Sequence, residues 1–132
     1  MVERSMARDD WRKAGILVVE DDEVNRKLFG SLLREKGYNV FEASDGEEAI
    51  ALIQNEAPAL VLMDIFLPGV SGPDVLSICR RKGLLDGTKV YALTGTESND
   101  ISGAGFDGII KKPIKVLDFL NVIEEILKGS EG

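Results

Sequence analysis

The chain has 132 residues, 44% apolar and 30% charged, with a formal net charge of −7; this fits one folded domain with a full core and excludes a disordered chain. The acidic balance argues against direct nucleic-acid binding, and no apolar run approaches the roughly 18 residues of a membrane helix. Cys79 is the single cysteine, so no internal disulfide forms, and with no signal-peptide centre near Met1 the expected location is the cytoplasm.

Residues 1–14 read as a charged, flexible leader. Strand-like apolar runs then alternate with helical patterns, the mark of successive βα units on a parallel sheet. Ile16–Val19 is the first strand. A helix follows over about Glu23–Lys36, with Val24, Leu28, Leu32 and Leu33 expected on its buried face and Gly37 ending it. The second strand is about Tyr38–Ala43. Ser44-Asp45-Gly46-Glu47 fits a capping box that opens a helix to about Asn55. Leu60–Met63 is the third strand. Pro68, Gly69, Gly72 and Pro73 form a loop, and Pro73 suits the first turn of a helix reaching about Lys82.

Lys89–Leu93 and Gly108–Lys111 are the fourth and fifth strands. Between them the pattern fails, since Thr96–Gly105 carries two glycines and few apolar anchors, so only a short or irregular fourth helix is expected. Ser98–Gly105 is expected to be mobile until the site is loaded. A last helix spans about Lys115–Lys128, with Val116, Leu120, Ile123 and Leu127 facing inward. Gly129-Ser130-Glu131-Gly132 reads as a tail or cloning remnant. Strands one, three and four are apolar throughout, which predicts helices on both sheet faces and a doubly wound α/β sandwich. The folded domain is placed at residues 15–128.

The polar residues that end the strands suggest the chemistry. In an open parallel sheet, ligands bind beyond the carboxyl ends of the strands. Strand one runs into Glu20-Asp21-Asp22, strand three into Asp64, strand four into Thr94 and strand five into Lys111-Lys112-Pro113. Hard cations such as Mg²⁺ take carboxylate oxygens, and Glu20 and Asp21 are the candidate metal-binding pair. Asp22 and Glu23 read instead as acids at a helix N-terminus. Asp64 is a candidate nucleophile toward phosphorus, forming an acyl phosphate. A cation and a fixed ammonium would compensate the charge of that attack, and the Thr94 hydroxyl would donate to a phosphoryl oxygen. Glu20, Asp21 and Asp64 supply three negative charges, balanced by Mg²⁺ and Lys112. With no histidine in the chain, an arriving phosphoryl group must land on another residue type.

In these residues the chain resembles the receiver domain of two-component response regulators, from about Gly15 to Lys128. The motifs are Ile16–Asp22, Leu62-Met63-Asp64 with Leu67–Gly72, Ala92–Gly95, and Lys112-Pro113. The resemblance implies a flavodoxin-like (βα)5 fold with a five-stranded sheet of order 2-1-3-4-5. It implies Asp64 as phosphoacceptor, taking a phosphoryl group from a histidine kinase or histidine phosphotransfer protein. Mg²⁺, or Mn²⁺ in its place, would be held by Glu20, Asp21, Asp64 and the backbone carbonyl of Phe66. Thr94 and Lys112 would bind the phosphoryl oxygens, and the Lys112–Pro113 bond would be cis. Such a domain is not a turnover enzyme; it catalyses its own phosphorylation and dephosphorylation and switches a downstream protein or a linked output domain.

Two departures fall on the output side. Ile109 stands where the family carries a switch aromatic, and the Thr94–Gly108 segment is short. The alternatives are a receiver fold acting as an interaction module without phosphorylation and an Mg²⁺-dependent aspartate phosphatase. The phosphatases usually place a second aspartate two residues after the nucleophile, where this chain has Phe66. A nucleotide binder is disfavoured because no glycine-rich loop follows strand one.

Overall fold

The computed structural model describes residues 14–95 and 104–129. Five parallel strands, β1 (Gly15–Val19), β2 (Asn39–Ala43), β3 (Leu60–Asp64), β4 (Lys89–Thr94) and β5 (Gly108–Lys111), form one sheet of order 2-1-3-4-5. Among the described residues, four helices connect or follow them: α1 (Glu23–Glu35), α2 (Gly46–Glu56), α3 (Gly72–Arg81) and α4 (Val116–Gly129). The doubly wound sandwich expected from the alternating pattern is the observed fold, with the flavodoxin-like strand order that the resemblance implied. Residues 1–13 of the expected leader, residues 98–103 of the expected mobile segment and residues 130–132 of the tail lie outside the described residues.

The all-apolar strands are buried on both faces, and side-chain alternation divides the core in two. Ile16, Val18, Leu60, Leu62, Leu93 and Ile110 point to one side, where α1 supplies Phe29 and Leu33 and α4 supplies Phe119, Ile123 and Leu127. The Phe29 and Phe119 rings join these two helices, with centroids 4.9 Å apart. Leu17, Val19, Val61, Met63 and Val90 point to the other side, against Ala49 and Ile53 of α2 and Val75, Leu76 and Cys79 of α3.

The helix ends carry local signals. Asp22 caps α1 by accepting from the Asn25 N–H at 3.0 Å, and Gly37 leaves it at φ +95°, a conformation that favours glycine. The cap of α2 is one residue later than the sequence suggests. Asp45 accepts from the Glu48 N–H at 2.8 Å, and Glu48 in turn accepts from the Ser44 N–H at 2.9 Å. Ser71 caps α3, with Pro73 in the first turn.

The buried face of α1 is only partly the expected one: Leu33 is buried and Leu32 packs partly against the core as expected, but two of the four residues turn outward. Val24 and Leu28 are 74% and 49% exposed, while Phe29, Gly30 and Leu33 face the core. Val24, Leu28 and Leu32 lie at spacing four, but Phe29 and Leu33 form the stripe that enters the core, with Leu32 partly buried beside it. Gly30 completes the inward stripe because a Cβ there would stand 2.8 Å from the Glu42 carboxylate. In α4, Ile123 and Leu127 are buried as expected, joined by Phe119, while Val116 is 46% exposed.

Candidate functional site

Strand ends bring the predicted residues together. Glu20 follows β1, Asp64 is the last residue of β3, Thr94 is the last residue of β4, and Lys112 follows β5. The parallel register places these ends side by side, with Val19 opposite Met63 and Asp64 opposite Leu93. Beyond β4 and β5 the Lys112 N–H donates to the Thr94 carbonyl at 2.7 Å, which carries the lysine's backbone to the rim of the site. The Lys112–Pro113 peptide is cis, as expected.

Lys112 Nζ lies 3.2 Å from Glu20 Oε1 and 3.8 Å from Asp64 Oδ2. Asp64 Oδ1 accepts from the Phe66 N–H at 3.0 Å, which fixes the carboxylate on its own turn. One carboxylate oxygen from each of Glu20, Asp21 and Asp64 can be chosen so that all three lie within 4.8 Å of one another. Asp22 contributes to the helix cap instead. The Thr94 side chain is buried at the same rim.

Glu20 carries the electrostatic tension of the site. It is only 2% exposed. Burial first, and then the Asp64 carboxylate beside it, push its pKa up to about 7 against the opposing pull of Lys112. Three carboxylates therefore gather at the site, and the Lys112 ammonium beside Glu20 and Asp64 cannot balance them all. All the side-chain donors are hard oxygens, the set that divalent cations such as Mg²⁺ prefer. The residues thus fit a divalent cation by charge and by donor chemistry.

The Glu20 backbone is held on both sides. Its N–H donates to the Ala43 carbonyl at 3.0 Å, and its carbonyl accepts from Arg26 Nη1 at 2.9 Å. Arg26 is a contributor that sequence reasoning missed, because an arginine in the first turns of a charged helix reads as a solvated side chain. Ile109, at the position that departs from the family pattern, is paired with Ala92 of β4 and is 46% exposed.

The sequence profile of the response regulator receiver domain matches residues 16–124. The chain belongs to the response regulator receiver domain family. It is 35% identical over 116 residues to the polar-differentiation response regulator DivK of Brucella anthropi, covering 85% of this chain and 94% of that protein. It is 37% identical over 105 residues to a cyclic di-GMP phosphodiesterase of Thermotoga maritima, but spans only 27% of that protein and 76% of its own length. Among solved structures, the receiver domain of Francisella response regulator 1452 aligns with a TM-score of 0.78 at 27% identity, covering 91% of this chain and all of that one. These relatives place the chain among two-component signalling receiver domains. Among the described residues, no helix is long and apolar enough to cross a membrane.

Proposed function

We propose that this receiver domain accepts a phosphoryl group on Asp64 from the phosphohistidine of a histidine kinase or histidine phosphotransfer protein. The observation that carries the reading is the meeting of Asp64, Glu20 and Lys112 at the carboxyl end of the sheet, with Lys112 Nζ between the two carboxylates. A carboxylate oxygen of Asp64 attacks phosphorus, the new O–P bond forms as the donor's N–P bond breaks, and the imidazole leaves with the bonding pair. Lys112 stands within reach of the transferred oxygens and offsets their charge. Thr94, at the adjoining strand end, donates its hydroxyl to one of them. Glu20, Asp21, Asp64 and the Phe66 carbonyl would hold Mg²⁺, or Mn²⁺, which would supply positive charge to offset that of the carboxylates and the phosphoryl group.

The domain works as residues 15–128 in the cytoplasm and catalyses only its own phosphorylation and dephosphorylation. Its product is a changed surface for a downstream protein or a linked output domain. The exposed Val24 and Leu28 of α1 offer a phosphodonor protein an apolar surface. A cleft of about 420 Å³, lined by Leu28, Phe29, Lys112, Pro113 and Ile114, continues that surface to the site.

The test is intact mass after incubation with acetyl phosphate and Mg²⁺. The expected result is one phosphate adduct on the wild type and none on Asp64→Asn. An adduct that survives Asp64→Asn would refute the assignment. Beryllofluoride with Mg²⁺ separates the remaining readings, since an interaction module without phosphorylation would not bind it and a phosphatase would turn over small phosphate esters.

A further inference from the structure

The peptide that links Glu20 to Asp21 sits just past β1, where the ladder to β3 has ended at Val19. Its carbonyl is the Glu20 oxygen held by Arg26 Nη1 at 2.9 Å. The same guanidinium places Nε 3.4 Å from Glu42 Oε1 on β2, the edge strand. Both side chains of this ion pair are largely buried, at 15% and 12% exposed. Glu42 is fixed independently, since its other oxygen accepts from Arg34 Nη1 at 2.8 Å. Lys27 also approaches Glu42, at 3.6 Å, but its side chain is 61% exposed. Burial works against ionisation of Glu42, yet Arg34 and Lys27 outweigh it and hold its carboxyl below the usual range. Glu42 is therefore a charged anchor.

We propose that Arg26, paired with Glu42, is a positioning residue for the divalent cation, fixing the Glu20–Asp21 peptide so that the two carboxylates converge on it. The inference rests on the metal-site reading above. Pinning this carbonyl restrains ψ of Glu20 and φ of Asp21, the two torsions that set the relative directions of the two side chains. A guanidinium suits the task because its donors lie in a rigid plane. Nη1 donates to the carbonyl while Nε pairs with Glu42 by charge alone, since Glu42 Oε1 accepts no hydrogen bond among the described residues; a lysine ammonium at the end of a flexible stem does not present two nitrogens fixed in one plane.

The sign of the effect separates positioning from plain electrostatics. Arg26 is a cation close to a cation site, so by charge alone its removal would tighten Mg²⁺ binding. Loss of positioning would weaken it. Titrate Mg²⁺ by calorimetry into wild type, Arg26→Ala, Arg26→Lys, Glu42→Gln and Lys27→Ala, with far-UV circular dichroism to confirm folding. The expected result is about tenfold weaker binding for Arg26→Ala, at least threefold weaker for Arg26→Lys although the charge is kept, and weaker binding for Glu42→Gln. Lys27→Ala touches Glu42 but not the Glu20 carbonyl, and should bind within twofold of wild type. If Arg26→Ala does not fold, Arg26→Lys carries the same threefold threshold. Folded Arg26 variants that bind as tightly as wild type, or tighter, would overturn the proposal while leaving the metal site standing. A wild type that binds no Mg²⁺ would remove the site reading and the proposal with it.

Discussion

Lys112 and Glu20, 92 positions apart in the chain, meet with Nζ 3.2 Å from Oε1. The contact spans the sheet from the end of β5 to the end of β1, over the ends of β3 and β4 between them. It leaves the ammonium shared with Asp64, so Lys112 and a divalent cation compete to neutralise the same carboxylates.

That competition gives the first prediction. Lys112→Ala removes a positive charge next to the cation site, so Mg²⁺ should bind about threefold or more tightly than to wild type at pH 8. Phosphorylation by acetyl phosphate should nevertheless slow, because the transferred oxygens lose their ammonium partner. Calorimetry and the rate of adduct formation measure the two effects. Weaker Mg²⁺ binding would mean that Lys112 organises the carboxylates rather than competing for them.

The second prediction follows from Glu20, whose pKa is raised to about 7. A cation binds the ionised carboxylate, so a proton competes with it below that value. Apparent Mg²⁺ affinity should climb between pH 5 and 7 and level off above. Without divalent cations, the stability of the fold should move the other way. A raised carboxyl pKa favours the neutral form, so the contribution of Glu20 is full below the ordinary value of 4.5 and is lost as pH rises through about 7. Urea midpoints at several pH values, with Glu20→Gln as the reference lacking this titration, check the sign.

Asp21 and Asp22 should separate cleanly. Asp21 belongs to the carboxylate cluster, so Asp21→Ala should weaken Mg²⁺ binding by at least tenfold with little change in stability. Asp22 caps α1, so Asp22→Ala should cost about 1 kcal/mol of stability and leave Mg²⁺ affinity within a few-fold. Paired calorimetric and urea titrations read both quantities, and a larger Mg²⁺ loss for Asp22→Ala would reverse the assignment.

The two apolar stripes of α1 should also differ. Leu33 is fully buried, so Leu33→Ala should destabilise by about 2–5 kcal/mol. Val24 is 74% exposed, so Val24→Ala should stay within about 0.5 kcal/mol. Urea unfolding of both variants tests whether the inward face is the one described. If Val24 receives the phosphodonor protein, its substitution should slow transfer from that protein while sparing acetyl phosphate.

Much of the fold was legible because its signals are local. The continuous apolar runs at Ile16–Val19 and Leu60–Met63 read as strands covered on both faces, and their alternation with helical patterns points to parallel pairing. The ends of the first, third, fourth and fifth strands named Glu20, Asp21, Asp64, Thr94 and Lys112 as candidates, since a parallel sheet collects its strand ends on one side. Which stripe of α1 turns inward was not local. Leu28 and Phe29 are adjacent and both apolar, and only packing against Phe119 and the limited space beside Glu42 choose between them. The pushed-up pKa of Glu20 was equally invisible, because it depends on burial and on Asp64, a neighbour remote in sequence. So was the role of Arg26, whose partners are a backbone carbonyl and a carboxylate on the edge strand. The sequence by itself determined the order of the elements and the chemical types at the strand ends, which follow from periodicity and strand polarity. The tertiary structure decided distances, burial and charge compensation, because these arise only when segments far apart in the chain share one low-dielectric space.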